Sequence, residues 1–539
     1  MANTYVSTTN ACKMCTPMGA ALVFKGIENA VPFLHGSQGC ATYMRRYIIS
    51  HFREPVDIAS SALGEKSAVY GGGPNLKKGI LNVMRKYDVD LVGVATTCLT
   101  ETIGDDVGRY LFEFREEFAD LPLPELVHVA TPSYSGTHME GWHAAVRSLA
   151  DQVVKEKGAS HGGVNLLPGF LSPADYRFLR GLGERSGVRF TMLPDLSRSM
   201  DGVIWDDYHS LPDGGTPVAD IRAMGGATGT IEFGMSGGLA ESTSGVLERK
   251  FGVPARKTMI PIGLRATDAF MDTLSEFAGC DMSEKDAFDR GRLLDAMVDG
   301  HKYIFGKRVV VYGEEDFVIA MCSFLGEIGI HPVLAATGTK SERFGDAVLD
   351  VLGDVCVDMP VIRSGADFKD IEEEAAELAP DLLVGHSKGY KLARASSIPL
   401  IRVGFPIHDR FGGQRILHVG YEGALSLYDM LVNAVLEKSQ DECPVGYGYL
   451  KGRCFANVLH GRKDMDSRLR GNDVRAKRCL RASIGNSSRY QAPPAAKRLC
   501  HSREGGNPSS TFIRVSDAST YKGGRHVRSK RQIKASLFQ

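Results

Sequence analysis

The chain has 539 residues, 43% hydrophobic and 24% charged, with 64 Lys and Arg balancing 64 Asp and Glu. That composition excludes a collagenous or wholly disordered chain, its length exceeds a single core, and no apolar run reaches the ~18 residues of a membrane-crossing helix. Eleven cysteines follow an N-terminus, Met1-Ala-Asn-Thr-Tyr-Val-Ser-Thr-Thr, with neither a basic start nor an apolar stretch, so reduced thiols in the cytoplasm are expected rather than a secreted disulfide framework.

Taken in chain order, Cys12 and Cys15 form a C-x-x-C pair, which alone fits zinc, redox chemistry or coincidence equally. An apolar run of strand length then ends in His35-Gly36-Ser37-Gln38-Gly39 and delivers Cys40. Small residues in such a loop let the backbone come close to a neighbour, with the thiol at the point of approach. The strand pattern "DLVGVATT" (90–97) delivers Cys98 at its carboxyl end, where ligands gather in open parallel sheets. Further strands are predicted at "GVNLLPGF" (163–170), "RVVVYG" (308–313), "DLLVG" (381–385) and "LIRVGF" (400–405), with amphipathic helices such as 173–187 and 316–329 between them. That alternation predicts an α/β protein with parallel sheets covered by helices. Three α/β domains are expected, over 1–155 (carrying Cys15, Cys40 and Cys98), 156–295 and 296–455.

The net charge conceals an asymmetry. From Gly461 onward 19 Lys and Arg face 5 Asp and Glu, a net +14, while the other 45 and 59 leave the body at −14. Residues 456–539 lack an apolar period and contain "GNSSRYQAPPAAKR" and "SREGGNPSS", which predicts a disordered basic tail. "DSRLRGND" (466–473) and "HSREGGNPSS" (501–510) resemble translated intergenic repeats, so the tail reads as an accidental extension and no nucleic-acid partner is expected.

Several phosphate-site patterns fail on their chemistry. "YGEEDF" (312–317) follows a strand and opens a helix, but Glu314, Glu315 and Asp316 occupy the helix start, where they suit the dipole and would repel a phosphate. Lys340-Ser341 lack P-loop spacing, and the glycines of 225–238 match no phosphate motif. His301, His386, His408 and His418 fall in separate loops without a zinc pattern and read as core or surface residues. No G-x-S-x-G nucleophile elbow is present.

The spacing of Cys15, Cys40 and Cys98 rules out a compact zinc finger. Each is flanked by small or polar residues on a loop or strand end, and soft thiolates gathered from separate loops are what an iron–sulfur cluster requires. Cys280, Cys322, Cys356, Cys443, Cys454, Cys479 and Cys500 read as structural or as tail residues.

"PMGAALVFKGIENAVPFLHGSQGC", "SHFREPVDIASSALGEKSAVYGGGPNL" and "ATTCLTETIGDD" resemble the nitrogenase component 1 family on its beta-type side, a likeness running from Cys12 to about Tyr449. That family comprises the catalytic molybdenum–iron protein and a paralogous cofactor-assembly scaffold. "IPIGLRATDAFMD", "DAMVDGHKYIFGKRVVVYGEEDFV" and "RVGFPIHDRFGGQRILHVGYEGA" are most similar to the scaffold's NifN branch rather than the catalytic NifK branch. The resemblance implies three Rossmann-like domains, a NifE-like alpha partner in an α2β2 heterotetramer, and transient contact with the iron protein NifH and the precursor donor NifB. It implies a scaffold with no independent turnover, transient binding of the iron–molybdenum cofactor precursor, and a [4Fe-4S] cluster shared with the alpha partner. Cys40 matches the NifN cluster cysteine. Cys15 and Cys98 match the other two cysteines of the NifK P-cluster, and Ser133 in "TPSYSG" matches its serine ligand. Two cluster forms are therefore implied: four irons with one ligand from this chain, or a P-cluster-like centre with several. Cys12 matches no role and is expected to be an exposed partner of Cys15 or to do nothing.

Overall fold

Short runs of Val, Leu, Ile and Ala, too brief for helices and flanked by glycine, make the strands of the computed structural model, which describes residues 12–356 and 358–443. The first sheet has β1 (Ala30–His35), β2 (Ala59–Ser60), β3 (Leu91–Thr96) and β4 (Glu125–Val129) in the order β2-β1-β3-β4. The second has β5 (Val164–Leu167), β6 (Phe190–Met192), β7 (Gly229–Phe233) and β8 (Ala255–Thr258) in the order β6-β5-β7-β8. The third has β9 (Arg308–Gly313), β10 (His331–Thr337), β11 (Val361–Ser364), β12 (Leu382–Gly385) and β13 (Leu400–Arg402) in the order β11-β10-β9-β12-β13.

Every strand pairing within these sheets is parallel. Parallel sheets covered on both faces need strands that are apolar throughout, and β1, β3, β5, β7 and β12 are buried along their whole length. The expected α/β architecture of helix-covered parallel sheets is the one observed. "RVVVYG" coincides with β9, whereas "LIRVGF" is strand only over its first three residues. The chain leaves that ladder at Gly404, whose φ of +70° a strand cannot use. The predicted basic tail, 456–539, lies outside the described residues.

Helices that cover the sheets start where the sequence supplies caps. Ser172 and Asp175 form a capping box on Pro173–Arg185, and Glu314 caps Glu315–Glu327 with Glu315 and Asp316 in its first turn. One helix pair fixes the region around the cysteines. Thr16–Lys25 is buried on every side and crosses His138–Val153 at backbone distance. A Cβ at Gly19 would stand 1.7 Å from the His138 carbonyl oxygen, and one at Gly141 would stand 1.9 Å from that of Thr16. Among the described residues no helix is long and apolar enough to cross a membrane.

Candidate cysteine site

β1 and β3 are neighbours, and each runs at its carboxyl end straight into a helix. After β1, Gly36-Ser37 turn the chain into Gln38–Phe52, with the Ser37 hydroxyl accepting the Gly39 N–H at 3.3 Å. Cys40 is the third residue of that helix. After β3, Thr97 caps Cys98–Ile103, so Cys98 is a first helical residue. Cys15 is the N-cap of Thr16–Lys25. All three thiols therefore stand at helix starts, where the sequence had suggested loops or strand ends. The serine and threonine caps beside Cys40 and Cys98 were the local signal for this placement.

The two turns close directly on each other. A Cβ at Gly36 would lie 2.1 Å from the Thr97 hydroxyl oxygen, so only glycine lets the Cys40 turn approach the Cys98 turn this closely. His35 pins the same corner from within the core. Its ring nitrogens meet Ser61 Oγ at 3.0 Å and Asp105 Oδ2 at 3.0 Å, while Ser61 Oγ accepts the Gly36 N–H at 2.9 Å. Burial holds the His35 imidazole below its ordinary pKa, against the pull of Asp105.

Ser133 completes the group. Its N–H donates to Cys98 Sγ at 3.2 Å, and its hydroxyl oxygen accepts the N–H of Thr16, the residue after Cys15, at 3.3 Å. Cys15 is exposed, while Cys40 and Cys98 are half-buried. Burial pushes the Cys40 thiol up from its ordinary pKa, and negative charge on Cys15 and Cys98 pushes it further. The fold thus gathers all four expected residues, Cys15, Cys40, Cys98 and Ser133, at one surface. Three soft donors at one surface, with burial and the two neighbouring thiolates disfavouring ionisation of Cys40, call for a cationic, thiophilic group between them, and an iron–sulfur cluster fits that donor set. Among the described residues no three His, Cys, Asp or Glu side chains are spaced to hold a single metal ion. A multi-iron cluster takes its thiolates on different irons and spaces them more widely.

Beside the thiols, Tyr43 follows Cys40 on Gln38–Phe52 and Tyr134 follows Ser133, and they are 66% and 68% exposed.

Cys12 corrects an expectation. It is not exposed: it is 5% exposed, lies in one cluster with Tyr312 and Leu334 of the third sheet and Phe368 of the helix Phe368–Leu378, and holds its Sγ 3.5 Å from His386 Nε2. Burial pushes its thiol up to about 12, so it stays protonated. Cys322 and Cys356 are buried as structural thiols, and Cys280 and Cys443 are half-exposed. Cys454, Cys479 and Cys500 lie outside the described residues. His301 sits in the helix Glu284–Ile304 rather than in a loop, while His386 and His418 are core residues. His138 and Glu314 form a buried pair (Nε2 to Oε1, 3.1 Å) that sequence reasoning did not find, because the partners are 176 residues apart.

A family model described as nitrogenase component 1 type oxidoreductase matches residues 15–436. The nitrogenase molybdenum-iron protein beta chain of Clostridium pasteurianum is 35% identical over 435 residues, covering 80% of this chain and 94% of that one. The nitrogenase iron-molybdenum cofactor biosynthesis protein NifN of Bradyrhizobium diazoefficiens is 35% identical over 440 residues, covering 81% and 91%. Among solved structures, a chain of nitrogenase Cp1 at pH 6.5 superposes with a TM-score of 0.78 at 34% identity, covering 82% of this chain and 96% of that one.

Proposed function

Since the chain belongs to the nitrogenase component 1 type oxidoreductase family, as a beta-type subunit, we propose that it is the NifN-type half of the scaffold on which the nitrogenase iron–molybdenum cofactor is assembled. Its own contribution is the Cys40 thiolate, given to an iron–sulfur cluster at the seam with a NifE-like alpha subunit. The cofactor precursor is cargo of the complex: NifB donates it, and it acquires molybdenum and homocitrate there with NifH as a transient partner. This chain supplies half of the α2β2 shell.

The observation that carries the cluster reading is the setting of Cys40. It is half-buried beside two other thiols, with the exposed Tyr43 on its own helix and Tyr134 next to Ser133, so its site is open toward a partner. An interface of this kind leaves apolar surface on the lone subunit. When bound, an iron–sulfur cluster supplies one-electron transfer between subunits. The protein's part is to hold the donors. Cys15 and Cys40 stand at the starts of helices of 10 and 15 residues. The Ser133 N–H is aimed at Cys98 Sγ. The scaffold half of the reading rests on likeness to NifN over nearly its full length and on the NifN-like stretches at 260–272, 295–318 and 402–424.

A second reading has specific support. Cys15, Cys98 and Ser133 gathered around Cys40 are the ligand set of a P-cluster, and molybdenum-iron beta chains match as strongly as NifN does. In that case the chain is the NifK subunit of the catalytic oxidoreductase. Anaerobic co-purification with a NifE-like and, separately, a NifD-like alpha chain distinguishes the two. The scaffold reading expects an iron-loaded complex with the NifE-like chain and a four-iron EPR signal. Loading only with the NifD-like chain, with substrate reduction, would sink it.

A further inference from the structure

Cys15 is exposed, and its side chain caps nothing, so its position is set by its neighbours in the chain. Those neighbours, residues 12–14, form a strap between the third sheet and the start of the helix His138–Val153. At one end Cys12 is sunk among third-sheet residues with its sulfur against His386, whose own carbonyl oxygen is held by the Tyr312 hydroxyl at 2.7 Å. The strap lies directly on Gly338, where a Cβ would come within 2.1 Å of the Cys12 carbonyl oxygen. At the other end Met14 makes two hydrogen bonds with His138, one to its ring and one to its backbone. The Met14 N–H donates to His138 Nδ1 at 3.3 Å, and the His138 N–H donates to the Met14 carbonyl oxygen at 3.0 Å.

The first of these bonds fixes the tautomer of His138. A ring nitrogen that accepts from a backbone N–H carries no hydrogen, so the ring hydrogen is on Nε2. Nε2 then donates to Glu314 Oε1 at 3.1 Å. Glu314 immediately follows β9, so the acceptor comes from the same sheet that buries Cys12. Burial raises the cost of ionising Glu314, but the hydrogen bond from His138 works against it, and the carboxyl is held below its ordinary pKa. A carboxylate acceptor is the stronger one. The residue on the far side of Cys15 is tied as well, through the Thr16 N–H to Ser133.

We propose that Glu314 and His138 are positioning residues for Cys15: through Met14 they clamp the strap whose other end is the buried Cys12, and so set where the Cys15 thiol stands in the cysteine site. Cys12 is by this account the anchor of the C-x-x-C pair and not a ligand. The inference deepens the proposed function, on which it rests only in taking the Cys15 thiol to face the cluster.

The test uses the full chain in complex with its alpha partner, stripped of iron with a chelator and alkylated with iodoacetamide under anaerobic conditions. Labelling is followed by mass spectrometry at Cys15 and at Cys322, which is fully buried and reports on the fold. Glu314→Ala should speed Cys15 labelling about tenfold, equivalent to ~1.4 kcal/mol in an opening equilibrium, with Cys322 silent. Glu314→Gln should restore the original rate, because its amide oxygen still accepts from Nε2–H. A Cys15 rate in Glu314→Ala equal to that of the unaltered chain overturns the proposal. If Glu314→Ala labels Cys322 as well, Met14→Pro removes the Met14 donor while leaving the His138–Glu314 pair in place, and there too an unchanged Cys15 rate overturns it. Iron content of Cys15→Ala is measured alongside. Full iron retention there, with the labelling differences intact, would remove Cys15 from the cluster while leaving the clamp standing.

Discussion

Cys40 owes its place to two residues that cannot ligate anything: Gly36, which lets its turn close on Thr97, and Ser37, which caps the helix that carries it. Replacing the sulfur should therefore cost the ligand and not the fold. Cys40→Ala is expected to lose the interface cluster, read as iron per heterotetramer and as the low-temperature EPR signal, while the complex still forms. On the scaffold reading Cys15→Ala and Cys98→Ala each keep most of the iron; on the P-cluster reading all three are comparably damaging. Full iron retention in Cys40→Ala would overturn the site. A second residue-scale prediction concerns His386. Burial pulls its imidazole down to about 4, so it is neutral in the fold but protonates near 6.5 when unfolded. Its contribution is thus fully present above 6.5 and is lost as pH falls toward 4. Against His386→Gln, the unaltered chain should lose roughly 1 kcal/mol of relative stability between pH 7 and about pH 5.5. Parallel thermal midpoints of the two complexes measure this, and a constant gap across that range would refute it.

At the scale of elements, the crossing of Thr16–Lys25 and His138–Val153 decides whether Cys15 and Ser133 meet. Alanine at Gly19 or Gly141 puts a methyl group where a carbonyl oxygen already stands, so the helices must part. Each substitution should cost about 1–3 kcal/mol and lower the iron content with it. Gly291, exposed within the helix Glu284–Ile304 with nothing near its Cβ position, makes the opposite case: alanine there should stabilise by up to ~1 kcal/mol. Equal midpoints for Gly19→Ala and Gly291→Ala would refute the backbone-contact argument. The same elements mark what could be read from sequence. β3, β9 and β12 were legible because a doubly covered parallel strand is apolar throughout, and that signal is local. Cys15, Cys40 and Cys98 were legible as one site through their residue type and flanks, but their helix-start geometry was not, since a glycine-serine turn suits a loop equally well. The burial of Cys12 and the His138–Glu314 pair depend on partners 374 and 176 residues distant, which no local pattern encodes.

For the whole molecule, the question is what one beta-type chain can do without its partner. The cysteine site lies at the surface, with Cys15 exposed, Cys40 and Cys98 half-buried, and the exposed rings of Tyr43 and Tyr134 beside it. A cluster held only from one side would leave irons open to water and oxygen. Exposed rings of that kind, left uncovered, favour self-association over solubility. Both costs are removed by one event, the docking of an alpha-type chain that brings the remaining ligands and covers the rings. The full chain expressed alone under anaerobic conditions should therefore be poorly soluble and nearly iron-free, and co-expression with its alpha partner should restore both solubility and iron together. Substituting Tyr43 and Tyr134 by serine should improve the solubility of the lone chain and weaken assembly with the partner, which size-exclusion chromatography reads directly. A stable, brown, iron-loaded monomer would contradict this account, because it would mean that the three thiols and Ser133 suffice for the cluster without a second subunit.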